Sequence, residues 1–219
     1  MVNTQSAANL VKKIINNHHS YVPSHKSVGR RIDWLVYHSD YTNILGVEKP
    51  IGMIGIGSSV YPCPKDILNH LGKKADEYKE PEYFNTIANN WRFCMTKSIK
   101  NAGTQILKQV RKQAPIEWKK KYGDDLKWLI TFVAGGNNGA VYKADNWKQI
   151  GETAAGQVLM VDGREMHSRS LNQKDRPYGR ELKRRYDAGD ENIFFKKRKP
   201  KHIYTYYLNK KIKRQIKKT

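Results

Sequence analysis

Acidic residues are scarce: 20 Asp and Glu stand against 41 Lys and Arg, for a formal net charge of +21. A surface that meets only water carries both signs more evenly, so this imbalance points to a polyanionic partner, nucleic acid first. Cysteine is nearly absent. Cys63 and Cys94 share no CxxC spacing, which argues against a zinc site or a disulfide framework and reads as two thiols in a reducing compartment. No run approaches the roughly 18 apolar residues of a membrane helix. The opening MVNTQSAANLVKKII lacks the arrangement of a signal peptide, so a cytoplasmic location is expected. Also missing are the GxxxxGK(S/T) and GxGxxG phosphate loops, HExxH, GxSxG, and the Asn/Asp-Pro-Pro-aromatic tetrapeptide of DNA methyltransferases. The familiar ATP, NAD, zinc-protease and serine-hydrolase chemistries therefore have no motif here.

What is present is a core-forming chain: 38% hydrophobic and 11% aromatic residues over 219 positions, enough for one large domain with a basic tail. The organising stretch is Leu126–Thr153. An apolar run to Val133 breaks at the glycine-rich turn Gly135–Gly139, resumes through Val141-Tyr142-Lys143, and meets an Ala-Asp-Asn-Trp segment able to start a short helix. A strand feeding such a turn is a frequent place for α/β proteins to keep their chemistry. Upstream, Ala7, Leu10, Val11, Ile14 and Ile15 have helical spacing, and that helix should stop near His18. Strands are expected at Arg31–His38 and Pro50–Ser58, with a short piece of the same hairpin at Ile44–Val47. Residues 62–83 read as an insertion over the sheet with a short helix at Pro64–Leu71. Phe84–Met95 is a second apolar segment, Gly103–Gln113 a helix with Thr104 as its N-cap, and Pro115–Gly123 a basic surface piece. Gln157–Val161 is a short strand, 163–199 an exposed basic excursion, His202–Leu208 a strand, and 209–219 a basic tail. The result is an α/β (α+β) chain with a mixed sheet flanked by helices, a single domain over 1–208. It has too few βαβ repeats for a doubly wound fold.

Candidate chemistry is scattered. Lys196, Lys197, Arg198, Lys199 and Lys201, interleaved with Phe194, Phe195 and Tyr204, suit phosphate contacts with aromatic faces for bases; a solubilising tail behind an edge strand is the plain alternative. His167 and Arg169 lie two apart and share a face if extended, able to hold a phosphate or carboxylate. Tyr142 is a general acid, a stacking platform or simply a buried strand tyrosine. Asp145 and Asn146 read first as helix N-caps and second as catalytic groups. Trp147 reads as core, and Glu152 as an exposed helical glutamate more readily than a base.

Taken together, NNWRF (89–93), KNAGTQILKQV (100–110), WLITFV (128–133), GAVYKADNWKQIGET (139–153) and PKHIYTYYL (200–208) resemble the Mom-type phage DNA-modification proteins and their relatives, including the DruA-like proteins of Druantia defence systems. The resemblance implies a GNAT-type acyltransferase fold: a bent mixed sheet with a cofactor wedge between two central strands. It also implies conversion of adenine in double-stranded DNA, flipped out of the stack, to an N6-carbamoylmethyl base that evades restriction. By carry-over His19 and Tyr142 become site residues, with Asp145 beside them, and His19 a metal ligand with iron as the metal. Asn101, Ala102, Gly103 and Thr104 fall where such a fold binds the pyrophosphate of acetyl-CoA or another activated donor. Arg92, with the basic residues above, is expected on the DNA. Two departures stand out. The family carries an aspartate after the central strand where this chain reads Phe132-Val133-Ala134-Gly135, leaving Asp145 or Asp162 to substitute. The Q/R-x-x-G-x-G/A signature is also absent. The first departure favours an alternative, a non-catalytic nucleic-acid-binding defence or counter-defence protein. A third reading, acylation of a protein or small molecule, fits the charge poorly.

Overall fold

The computed structural model describes residues 4–18, 29–41, 48–134, 137–166, 168–173 and 176–208, the side chains of Ser168 and Arg169 excepted. The opening helix, α1 (Gln5–His18), buries Val11, Ile14 and Ile15 and ends where the apolar spacing ends. Strands β1 (Arg31–Val36) and β2 (Gly52–Ser58) follow. The insertion supplies three short helices, α2 (Lys65–Leu71), α3 (Ala75–Lys79) and α4 (Pro81–Phe84). Then come β3 (Ile87–Met95), α5 (Ala102–Tyr122), β4 (Trp128–Val133), α6 (Ala140–Ala144) and β5 (Lys148–Glu152). The chain continues through β6 (Gln157–Val161), β7 (Arg164–Met166), a 3-10 turn at Ser168–Asn172, α7 (Pro177–Asp187), β8 (Ile193–Lys197) and β9 (His202–Tyr207). The short piece expected at Ile44–Val47 and the tail 209–219 lie outside the described residues.

Two compact units result, the first drawn from residues up to Val133, Asn137–Gly151 and the chain from His202 on, the second from Ala134–Gly136 and Glu152–Lys201. The first unit is built on a six-stranded mixed sheet in the order β1-β2-β3-β4-β9-β5. Only β3 and β4 among its described registers run parallel; β1–β2, β2–β3 and β4–β9 are antiparallel. Side chains alternate across it. Ile32, Ile54, Ala88, Leu129 and Tyr204 face α5 and α6. On the opposite face Met53 and Cys94 meet α1, and Trp128, Ile130, Ile203 and Tyr207 meet Ile67 and Tyr78 of the insertion. The insertion thus packs over the sheet, as its reading from sequence expected.

Helix α5 runs 21 residues through Pro115, across the stretch expected to be a surface piece. A mid-helix proline costs about 3 kcal/mol. Against that, Leu107, Val110, Ala114 and Trp118 are all buried on one stripe, each large one contributing about 1.5–3 kcal/mol. Trp118 also donates its indole N–H to the Asn85 carbonyl at 2.9 Å, and Tyr122 ties the helix end to β1 through the Arg31 backbone. Packing outweighs propensity. Thr104 is not the N-cap: the helix starts after Asn101, and the Thr104 hydroxyl donates back to the Asn101 carbonyl at 2.9 Å.

The second unit has its own core of Leu159, Val161, Leu171, Leu182 and Ile193, around the sheet order β7-β6-β8. Much of the stretch read as an exposed excursion is therefore ordered. Arg185 organises it, bridging Asp162 and Asp190, and Asp162 adopts a left-handed φ of 49° at the β6–β7 turn. The alternating charges that looked like solvated sequence pair with one another instead: Lys183 with Asp187, Arg184 with Glu181, Arg198 with Glu165.

Candidate active site

The sheet splits at its centre. Strands β3 and β4 pair only at Ile87–Trp128, Ala88–Leu129 and Asn89–Ile130. Beyond that point β3 continues to Met95 on β2 alone, and β4 to Val133 on β9 alone. Among the described residues their facing edges have no strand partner there, and a cavity of 390 Å³ opens between them, lined by residues 90–95, 131–133 and 137–142 with His18 at the end of α1. The described lining holds a guanidinium (Arg92) and an imidazole (His18) and no carboxylate. Such a site attracts anions and electron-rich groups.

Asn90 stands at the apex of the split. It is 5% exposed. Its side-chain amide donates to the carbonyls of Gly55 at 2.8 Å and Arg92 at 3.0 Å, and its Oδ1 accepts the Tyr142 hydroxyl at 2.7 Å. Its backbone carbonyl accepts from Thr131 Oγ1 of β4 at 3.2 Å. Next to it β3 carries a bulge, since Ile56 faces Asn90 while Gly55 faces Arg92, leaving Trp91 as the extra residue. A bulge bends a strand and re-aims a side chain. Here the Trp91 indole donates to Asp33 Oδ1 at 3.2 Å, and two guanidinium groups stand over its ring, Arg31 at 4.1 Å and Arg92 at 4.9 Å. Asp33 is buried, and desolvation pushes its carboxyl above the usual range despite the pull of Arg31. Glycine at 55 is required, because a Cβ there would collide with Asp33 Oδ1 and Trp91 Nε1.

Tyr142 lines the cavity, but as a helical residue. The turn after β4 enters α6 at Gly139, with φ of 64°, so Val141-Tyr142-Lys143 is helix and Asp145 closes it as the C-cap, not the N-cap. The Tyr204 ring would lie 2.5 Å from a Cβ on Gly139; Tyr204 stacks on Tyr142 at 5.9 Å and Trp147 meets Tyr142 edge-on at 5.1 Å. Trp147 is core, as expected of a tryptophan there. Glu152 ends β5 and is not helical.

Of the other expected site residues, Arg92 joins Tyr142 on the cavity wall. Asp145 does not line it: it is 6% exposed, ion-paired with Arg111, and accepts the Trp147 indole N–H at 3.0 Å. Asn101–Thr104 form the left-handed cap and first turn of α5, outside the cavity lining, with Gly103 against Val141 and Ala102 on a separate groove beside β1. His19 and His167 lie outside the described residues, and Arg169 sits in the 3-10 turn. In the second unit Lys196 and Lys197 are exposed on β8 beside Phe194, which is 49% exposed, and Lys199 is exposed after it. Arg198 is tied to Glu165, and the Lys201 backbone N–H donates to Thr153 Oγ1.

Asn90 and Trp91 carry the architecture of the site and were given no role from sequence. The available signal was an Asn-Asn pair inside an apolar strand, a costly place for amides unless they bond. His19, the expected iron ligand, lies outside the described residues. Among the described residues the cavity wall carries the His18 imidazole and the buried Cys94 thiol, which burial pushes up and which points at the Ile14 carbonyl. No group of three His, Cys, Asp or Glu side chains is placed to hold a metal among the described residues.

A family model described as the Mom protein family matches residues 73–219. No curated protein matches the chain.

Proposed function

We propose, from the premise that this chain belongs to the Mom protein family and so to a family of phage DNA modification, that it is a transferase acting on the exocyclic amine of adenine in DNA. The observation that carries the reading is the parting of β3 from β4 around a cavity walled by Tyr142 and Arg92. A parallel pair that separates after three residues exposes backbone N–H and C=O groups to a ligand rather than to a strand. That supports a GNAT-type wedge for an activated donor of the acetyl-CoA class, and we assign the donor's anionic group to the start of α5 at Gly103 and Thr104, which lies off the cavity lining. The aromatic wall at Trp91 and Phe93 suits a base that has left its stack. Asp145 supports the site from behind by holding Arg111 and Trp147, and Trp147 in turn meets the Tyr142 ring. Exposed Lys196, Lys197 and Lys199 next to Phe194 supply phosphate contacts. No step is assigned to a metal.

The test is mass spectrometry of nucleosides from DNA of cells expressing the protein. The expected result is a peak heavier than deoxyadenosine that is lost with Tyr142→Phe. A peak on another nucleoside corrects the base. No peak from the wild type, with DNA binding intact, rejects the enzyme and leaves the binding protein favoured by Ala134.

A further inference from the structure

We infer that the open edge of β1 is a docking surface for a second copy of this chain, paired β1 to β1 about a two-fold axis. The inference does not depend on what the β3–β4 cavity does. It starts from the parity of the strand. The Arg30 carbonyl accepts the Ser58 N–H of β2 at 2.9 Å, so even-numbered residues turn their backbone groups toward β2 and odd-numbered ones turn theirs away. At Arg31 the Tyr122 hydroxyl stands in for a neighbouring strand, accepting the N–H at 2.7 Å and donating to the carbonyl at 2.8 Å. At Asp33 and Leu35 no such stand-in exists among the described residues. Natural sheets guard an edge in this state with lysine, proline, a bulge or a covering element. The opposite edge, β5, is guarded: Lys148 is exposed, and Asp66 of α2 lies so close to Gly151 that a Cβ there would collide. From Trp34 to Tyr37 the β1 edge has no charge, proline or bulge, and Tyr37 is 44% exposed. Beside it a groove of 330 Å³ runs between β1 and α5, walled by Trp34, Val36, Ile106 and Val110.

The occupant follows from charge. Helix α5 carries Lys108, Arg111, Lys112, Lys119, Lys120 and Lys121, yet none of them lines the groove. The helix meets it instead with Gln105, Gln109 and Gln113, one turn apart and all exposed. A polyanion finds no cation there. A chain of +21 repels its own copies, so it can approach one only across an uncharged surface, which this edge and its glutamine row provide. The strand is also self-complementary. Antiparallel pairing centred on Trp34 sets Asp33 of each copy against Leu35 of the other, so the outward groups of both are bonded. It also sets Trp34 against Trp34 in the non-hydrogen-bonded position, where side chains lie closest. The axis of such a pair stands perpendicular to the sheet, which puts both α5 helices on one face with their glutamine rows toward each other. An isologous pair uses both open edges and closes at two copies.

Sedimentation equilibrium of the full chain without DNA tests this, with urea midpoints as the check on folding. The expected result is a monomer–dimer equilibrium that tightens as salt rises, because screening relieves the repulsion between copies; DNA binding responds to salt in the opposite sense. Gln109→Lys changes an exposed residue and should raise the dimer's Kd by about threefold or more at low salt while leaving the urea midpoint in place. Mixing it with Gln109→Glu should restore association as a heterodimer. Leu35→Pro removes an N–H that no ladder bond uses and should leave a folded monomer. A chain that stays monomeric at high micromolar concentration in raised salt overturns the inference, whatever else pairs with that edge. So does a dimer that Gln109→Lys and Leu35→Pro both leave intact, or one that weakens as salt rises.

Discussion

Replacing Asp145 separates a supporting carboxylate from a reacting one. Its side chain is 6% exposed and its partner Arg111 20%; Arg111 also donates to the Tyr206 hydroxyl at 2.6 Å and stacks on that ring at 4.3 Å. Breaking a buried ion pair from one side costs roughly 3–5 kcal/mol, mostly the penalty of the charge left behind. Arg111 keeps some solvent and its Tyr206 contacts, which lowers the figure, while the orphaned Trp147 N–H raises it. Asp145→Ala should therefore lose about 3 kcal/mol, and Asp145→Asn, which retains one acceptor, about 1–2 kcal/mol. At this chain length that is a fall in Tm of roughly 6–12 °C for the alanine variant. All five tryptophans belong to the first unit, so urea unfolding followed by tryptophan fluorescence reads that unit alone. The double variant Arg111→Met, Asp145→Leu should recover most of the loss, because it removes both charges. An Asp145→Asn protein of wild-type stability that no longer modifies DNA would refute the reasoning and make the carboxylate a participant.

Three further outcomes follow from the geometry. Gly139→Ala combines a left-handed φ of 64° with a contact of 2.5 Å to Tyr204 and should cost about 2–4 kcal/mol, seen as a lower urea midpoint at unchanged slope. His70 meets Trp128 edge-on at 5.6 Å, and burial, aided by Lys148, lowers its pKa below 6.5. Its neutral form is therefore favoured by folding, so its contribution is fully present above pH 6.5 and is lost as pH falls through the lowered value; His70→Gln should flatten that part of the stability–pH curve. Changing Lys196, Lys197 and Lys199 together to alanine should weaken binding to duplexes of any sequence and reduce the slope of log affinity against log salt by up to about 2.7, if each lysine meets one phosphate. A weakening that spares the slope would place these lysines off the DNA.

The strands were legible where side-chain period and β-branched content agreed. Residues 31–36, 52–58, 87–95, 128–133 and 202–207 all fall within segments whose apolar residues marked them as strands or buried runs. Reading failed where tertiary packing overrode local preference. Pro115 and the lysines after it argue against a helix, yet Ala114, Trp118 and Tyr122 continue the buried stripe begun at Leu107 and hold it. Tyr142 looked like a strand residue because Val141 and Tyr142 favour strands, but the left-handed Gly139 starts a helix there. In 163–199 the charges concealed a core, because each ion pair joins residues three or more apart and the apolar members Leu171, Leu182 and Ile193 are thinly spread.

The fork between β3 and β4 illustrates why the site itself was the least legible part. A strand that keeps a neighbour satisfies its backbone through the ladder, and its side chains can stay apolar. Where the neighbour departs, the freed groups need other partners. Asn90 and Thr131 sit at that point, and their side chains bond to the carbonyls of Gly55 and Arg92 and of Asn90 respectively. Here the buried polar side chains of Asn90 and Thr131 stand where the β3–β4 pairing ends. Residues 89–93 show this as Asn-Asn before Trp-Arg-Phe, and 128–133 show it as Thr131 among Trp, Leu, Ile, Phe and Val. Each alone reads as a tolerated polar residue. Only the parallel register, which stops at Asn89 and Ile130, brings the two interruptions face to face and turns them into the walls of one cavity.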